Sequence, residues 1–171
     1  MITVREETSQ DHDAVRQINQ RAFAAEGEAR IVDNLRANCP DILSLVAESD
    51  GQVVGHIFFS PVEIQQDGSV LRGMGLAPMA VLPECQNQQI GSLLVKEGLK
   101  RIKQTDCPYI IVLGHEHYYP RFGFETAAKY GLRPQWDGVP DEVFMVLVLD
   151  QDSMAGVSGV AMYRDEFSEA M

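Results

Sequence analysis

The stretch Val81–Val95, VLPECQNQQIGSLLV, leaves an apolar strand, turns through polar residues and a glycine, and enters an apolar-periodic segment. Ile90, Leu93, Leu94, Val95, Leu99 and Ile102 recur at helical spacing, while Lys96, Glu97, Lys100, Arg101 and Lys103 fill the other face, which predicts a helix from about Gln88 to Lys103. Upstream, Val70–Val81 reads as a strand, with Pro78 marking a missing ladder bond and a local break or bulge. Downstream, Tyr109–Leu113 is a short continuous apolar run of the kind buried in a parallel pair. Together the three segments make one βαβ unit, so the fold class is α/β with a mixed sheet.

The first turn of a helix leaves backbone N–H groups without partners at the positive end of the helix dipole. Such an end holds a phosphate without any basic side chain. In this turn Gln86, Asn87, Gln88, Gln89, Ile90, Gly91 and Ser92 are the candidate binding residues. Gly91 permits close approach to the backbone, and Ser92 adds a hydroxyl donor. On spacing alone an ordinary strand-to-helix loop reads the same way. The chain has no GxxxxGK[ST], and no GxGxxG follows a strand.

Working outward, Ile2–Arg5 reads as a first strand, and Ser9 or Asp11 as the cap of a helix running to about Ala25. Glu28–Ala37 is a second helix, ended by Cys39-Pro40. Ile42–Glu48 and Gln52–Ile64 flank the turn Ser49-Asp50-Gly51 as a hairpin, and Gln66-Asp67-Gly68 starts the next return. A helical turn near Tyr118–Phe122, a strand near Glu125 and a long strand Glu142–Asp150 follow; Gln151–Met171 is expected as a partly ordered tail. At 171 residues without an internal linker, the chain is expected to be a single domain, 1–171.

The net charge of −11 repels a phosphate backbone at long range, which argues against nucleic acid and favours cationic partners such as amines. Cys39, Cys85 and Cys107 are odd in number and scattered, which fits free thiols in a reducing compartment. The N-terminus carries acidic residues where a secretory signal has an apolar core, and no apolar run approaches a membrane span. A cytoplasmic protein with no membrane partner is expected. His115-Glu116-His117 offers too few ligands for a metal, so none is expected. Cys85 lacks an adjacent base, and Gly156-Val157-Ser158-Gly159 is not a nucleophile elbow.

The turn resembles the acetyl-CoA signature of the GNAT superfamily of N-acetyltransferases, a strand, then Gln/Arg-x-x-Gly-x-Gly/Ala, then a helix. Gln86 stands at its first position and Gly91 at its last, and Gln89 replaces the middle glycine. HEHYYPRFGFE is similar to the family's Tyr-x-x-x-Gly-Phe segment through Tyr119, Gly123 and Phe124. The phrases LSLVAE, GHIFFSPV, YYPRFGF and GVSGVAMYRDEF are especially similar to the YhbS-like branch. The resemblance spans nearly the whole chain. It implies the acyl-CoA N-acyltransferase fold, a mostly antiparallel sheet with a parallel, V-shaped split between strands 4 and 5.

It further implies acetyl-CoA as co-substrate, its pantetheine arm paired with the backbone of Met79, Ala80 and Val81. An amine then attacks the thioester directly, and Tyr119 protonates the leaving thiolate. For the base that deprotonates the amine, Glu84, Glu26, Glu28, His56, His115 and ordered water stay open. The acceptor would be a small-molecule or peptide amine, held between the first two helices near Phe23–Arg30 and the segments His56–Ser60 and Tyr118. Many members are dimers, so a homodimer stays open too. The competing readings are a non-catalytic acyl-CoA sensor and an α/β binding domain with no CoA site.

Overall fold

In chain order the elements are β1 (Ile2–Glu6), α1 (His12–Phe23), α2 (Gly27–Asn38), β2 (Leu43–Ser49), β3 (Gln52–Gln66), β4 (Ser69–Val81), α3 (Ile90–Lys103), β5 (Tyr109–Leu113), β6 (Glu125–Thr126), β7 (Leu132–Pro134), β8 (Phe144–Val148), α4 (Gln151–Met154), β9 (Gly159–Met162) and α5 (Asp165–Glu169). They come from a computed structural model, which describes residues 1–169; Ala170 and Met171, the end of the expected tail, lie outside the described residues. The strands pair in the order β1-β2-β3-β4-β5-β8-β6, with β9 on β3 and β7 on β9. The pairs β4–β5 and β7–β9 are parallel, and β1–β2, β2–β3, β3–β9, β5–β8 and β6–β8 are antiparallel. Both hairpins turn on Asp-Gly with two left-handed residues, φ 51° and 78° at Asp50-Gly51 and 41° and 82° at Asp67-Gly68. That backbone matches the twist of the strands it joins.

The chain divides into two compact units, and β3 and β4 each run from one into the other. The first unit holds Met1–Ser60, Ala77–Arg101 and, at the far end of the described residues, Asp165–Glu169. In it β3 is covered on both faces. Gly55 lies against Ile90 and Leu94 of α3, and Gly98 of α3 lies against the ring of Phe59. The intervening residue His56 faces α1 instead, where it meets Asn19. A strand buried on both sides explains why Val54–Val62 reads as nearly unbroken apolar sequence. Arg16 of α1 pairs with Asp33 of α2 at 2.8 Å, holding the two helices together on their exposed side.

The second unit holds Pro61–Leu76 and Ile102–Arg164. Its centre is β5, parallel to β4 over Met74–Leu76 and antiparallel to β8 over its full length. The Tyr109 ring fills the space over Gly73, and its hydroxyl donates to the Leu71 carbonyl at 2.7 Å, with the Val62 carbonyl at 3.1 Å. Burial raises the phenol's pKa, so it stays a donor.

Four expectations shift. α1 stops at Phe23 rather than Ala25 because Ala24 turns left-handed, φ 53°. β8 starts at Phe144 because Asp141–Val143, following Pro140, forms a 3-10 turn. The expected tail is built in: Asp150 caps α4 by accepting from the Asp152 and Ser153 N–H groups, and β9 pairs with β3 and β7. Finally, α3 begins at Ile90 rather than Gln88, because Gln89 is itself left-handed.

At Gly98 helix α3 comes close to β3. A Cβ there would sit 2.5 Å from the Phe59 ring. Gly98→Ala should therefore lower stability by roughly 1–3 kcal/mol, the usual cost of overpacking, as read by urea denaturation with an unchanged m-value.

Candidate functional site

The turn after β4 is set by backbone geometry. Pro83–Cys85 makes one 3-10 turn, with the Cys85 N–H donating to the Leu82 carbonyl at 2.8 Å. Asn87 and Gln89 then both take positive φ, 63° and 67°. Reversals of this kind turn successive N–H groups to one side and form anion-binding concavities. The helical ladder opens with the Leu93 N–H donating to the Gln89 carbonyl at 3.1 Å. Gln89, Ile90 and Gly91 therefore precede the first i−4 donor of α3, at the positive end of its dipole. Gln86–Gln89 are exposed and Ile90 is buried, so the turn is anchored by its helix and lies at the surface. Gln89 thus occupies the left-handed position that glycine would occupy without strain.

Upstream of the turn, the parallel register of β4 with β5 covers Met74–Leu76 and ends before Ala77. The Ala77-Pro78 bond is cis, and β4 nevertheless continues to Val81 as a strand. Met79 is half-buried, and Ala80 and Val81 are buried.

Tyr119 belongs to the second unit. It opens a 3-10 turn, Tyr119–Phe122, directly after β5. Its ring stands edge-on to Tyr118 and Phe124, with centroids 5.0 and 5.7 Å away. Gly123 closes the turn through its N–H to the Pro120 carbonyl, which carries the chain to Phe124. Gly114 is a residue the sequence reading passed over: a Cβ there would run into the Tyr119 ring. The only signal for it was a glycine at the end of a buried strand. Burial, with Tyr118 beside it, pushes the Tyr119 phenol pKa up, so the proton stays on oxygen at neutral pH.

The candidate bases are dispersed. His56 is completely buried and bonded at both ring nitrogens, to Ser44 Oγ at 2.9 Å and to Asn19 Nδ2 at 3.2 Å. The same Asn19 nitrogen donates to the Val15 carbonyl, which identifies it as the amide nitrogen. His56 Nδ1 must then accept, and Nε2–H donates to Ser44. This is the opposite tautomer to that of a serine nucleophile's base. Burial, and secondarily the charge of Arg36, bring its pKa down to about 3. His56 and Ser60 are both sealed in the interior, which removes them from the expected acceptor pocket. Glu84 is exposed and ion-paired to Arg21 at 2.7 Å; its own backbone N–H and then Arg21 hold its pKa below the usual range. Glu26 and His115 are exposed and Glu28 is half-buried. Among the described residues no cluster of three or more His, Cys, Asp or Glu side chains is arranged to hold a metal ion.

A family model described as an acetyltransferase (GNAT) domain matches residues 3–127. An uncharacterized N-acetyltransferase of Escherichia coli (strain K12), YhbS, is 36% identical over 166 residues, 96% of this chain and 98% of that one. A second from the same strain, YjhQ, is 34% identical over 134 residues, 77% of this chain and 74% of the relative. The crystal structure of Escherichia coli YhbS in complex with CoA superposes with a TM-score of 0.90, covering 98% of this chain and 92% of that one, at 36% identity. A GNAT family acetyltransferase from Brucella melitensis in complex with acetyl-CoA gives 0.79 at 35% identity, covering 98% of both chains.

Two outcomes follow from this geometry. His56 titrates near 3 when folded and near 6.5 ordinarily, so between those values the unfolded chain binds a proton that the folded chain excludes. Stability should fall as pH drops from about 6.5 toward 3, and Asp11, held at about 2 by its bond to Arg5, adds its own loss only below 3.8. Melting curves should show His56→Leu flattening the slope between about pH 6.5 and 4. Separately, Gln89→Gly removes a left-handed side chain worth roughly 1 kcal/mol of strain and should raise the denaturation midpoint.

Proposed function

The chain belongs to the GNAT family of N-acetyltransferases, and from that premise we propose how its own residues carry out transfer of an acetyl group from acetyl-CoA to an amine. The observation that carries the proposal is the turn Gln86–Ser92, whose left-handed Asn87 and Gln89 lead into the first donors of α3. This turn would hold the pyrophosphate through the backbone N–H groups of Gln89, Ile90 and Gly91, with Ser92 adding its hydroxyl. The pantetheine arm would lie along the edge of β4 at Met79–Val81, which the register with β5 does not cover. When bound, the cofactor supplies an acetyl thioester. A β4 N–H would polarise the thioester carbonyl and stabilise the negative charge that develops on its oxygen.

Tyr119 would donate a hydrogen bond to the departing sulfur. Its raised pKa keeps the proton in place, and an ordinary thiol has a pKa near 8.5. The phenol is a weaker acid than the thiol, so outright transfer would run uphill. Tyr119 would act as a hydrogen-bond donor that stabilises the departing thiolate and keeps its own proton, and the thiolate would finally be neutralised by the proton that the amine releases. The attacking amine must first lose a proton. His56 is sealed off and Glu84 is engaged by Arg21, which supports water as the immediate acceptor of that proton. Residues Asn87 and Gln88 would shape the turn.

The acceptor is proposed to be a small-molecule or peptide amine; the net charge of −11 favours a cationic one. The alternative of a non-catalytic acyl-CoA sensor gains no support from the relatives, which are named as acetyltransferases. Free thiols at Cys39, Cys85 and Cys107 support a cytoplasmic setting, and no helix among the described residues is long and apolar enough to cross a membrane. The passage of β3 and β4 through both compact units supports one functional domain. A homodimer is the assembly that the family suggests, and sedimentation reads it directly.

Tyr119→Phe tests the assignment of this donor. With an amine found by screening acetyl-CoA consumption, kcat should fall about 10²-fold while the affinity for CoA stays within about twofold. An unchanged kcat would remove Tyr119 from the mechanism. Acetyl-CoA at millimolar concentration should also raise the melting temperature, as any ligand of the native state must.

A further inference from the structure

Gln86 occupies the first position of the turn, yet its side chain points backward rather than outward. Its Nε2 donates to the Val81 carbonyl at 3.1 Å. Which edge of β4 that carbonyl faces follows from one peptide plane. The Leu82 N–H donates to the Val54 carbonyl of β3 at 2.9 Å. Val81 C=O and Leu82 N–H belong to the same trans peptide, so they point in opposite directions. The Val81 carbonyl therefore faces away from β3, along the edge of β4 that β5 has left at Leu76. In an extended chain alternate residues share an edge, so Met79 lies on the same edge and Ala80 faces β3.

We infer that Gln86 is a positioning residue that caps the open edge of β4, closing the Val81 carbonyl and leaving the Met79 N–H and C=O and the Val81 N–H as the place where an amide-bearing ligand arm pairs. The inference rests on the reading that acetyl-CoA lays its pantetheine arm on this edge. A pantetheine chain carries two amides, and an uncapped strand edge offers them more than one register, two residues apart. With the Val81 carbonyl taken, the ladder has an end, and the thioester beyond the second amide is held at one depth. Gln86 then acts on the sulfur end of the cofactor through the strand, and the pyrophosphate is left to the backbone of residues 89–91. The exposed setting of Gln86 gives its side chain other directions to take, so the bond to Val81 is a choice of partner and not a consequence of confinement.

The test compares wild type with Gln86→Met, which keeps length and loses the donor. Calorimetry is run with CoA and with 3′-phospho-ADP, which carries the same pyrophosphate and no pantetheine. CoA should bind about fivefold more weakly to the variant, the effect of one lost hydrogen bond. The affinity for 3′-phospho-ADP should change by less than about twofold. Equal losses on both ligands would make Gln86 a phosphate ligand and overturn the inference; so would an unchanged affinity for CoA. A crystal structure of the wild-type CoA complex gives an independent readout: the amide stays on the Val81 carbonyl if it positions the strand, and swings to the pyrophosphate if it does not. If wild type binds neither ligand, the acetyl-CoA reading itself fails, and that is visible before any variant is made.

Discussion

Strand β4 lies between β3 and β5 and loses β5 partway. Its register with β5 ends at Leu76, while the Leu82 N–H still reaches the Val54 carbonyl of β3. A strand with one free edge carries unsatisfied N–H and C=O groups, which proteins usually cover or shorten. Here the free stretch is only a few residues long, and Gln86 closes its far end. Such an edge is costly to leave open in isolation and valuable to a ligand that carries its own amides, since each pairing replaces water on both sides. The rest of the site is arranged from this strand: the turn continues from its end, and α3 continues from the turn.

The turn illustrates strain retained for geometry. Two consecutive non-glycine residues would make a left-handed excursion expensive, but Asn87 and Gln89 alternate with a residue of ordinary backbone. Asn tolerates this region better than most because its short side chain bonds locally. Gln89 has no such excuse, and its backbone is held by the start of α3, whose Ile90 is buried and whose ladder begins on the Gln89 carbonyl. Strain of this kind persists where the surrounding structure over-determines it. Burial of Ile90 against Gly55 in β3 supplies that constraint.

Much of this was legible in the sequence because periodicity and turn chemistry are local. The apolar spacing from Ile90 to Ile102 located α3, the two Asp-Gly pairs located both hairpins, and the apolar run Tyr109–Leu113 located the strand that pairs in parallel. What escaped was set by packing between distant segments. Nothing near Gly156–Met162 announces that β9 pairs with β3 and β7, since its partners lie about a hundred and about thirty residues upstream. His56 looked like a candidate base because a lone histidine in an apolar strand gives no sign of which helix covers it. Asn19, which fixes its tautomer, lies 37 residues away on α1, and Ser44 lies across the hairpin on β2. Gly114 escaped for a different reason: the Tyr119 ring is close by in the chain, but only the folded turn after β5 brings it back over the glycine.

The charge of the chain bears on how the turn can work at all. At −11 the protein repels a polyphosphate from a distance, and the segment Pro83–Ser92 contributes Glu84 and no cation. Glu84 is partnered by Arg21, which removes one local repulsion without offering a phosphate ligand. The attraction that would remain is short-ranged and would come from fixed backbone dipoles, at the left-handed turn through Asn87 and Gln89 and at the end of α3. Such donors lose little entropy on binding because the helix already holds them, whereas a lysine would have to be ordered. They also discriminate by position rather than by charge, accepting an anion only where the turn has placed its N–H groups. On the proposed reading, an acidic surface with a dipolar anion site would separate two tasks: the field of the whole molecule would gather cationic amines, and the turn would select one anion against that field.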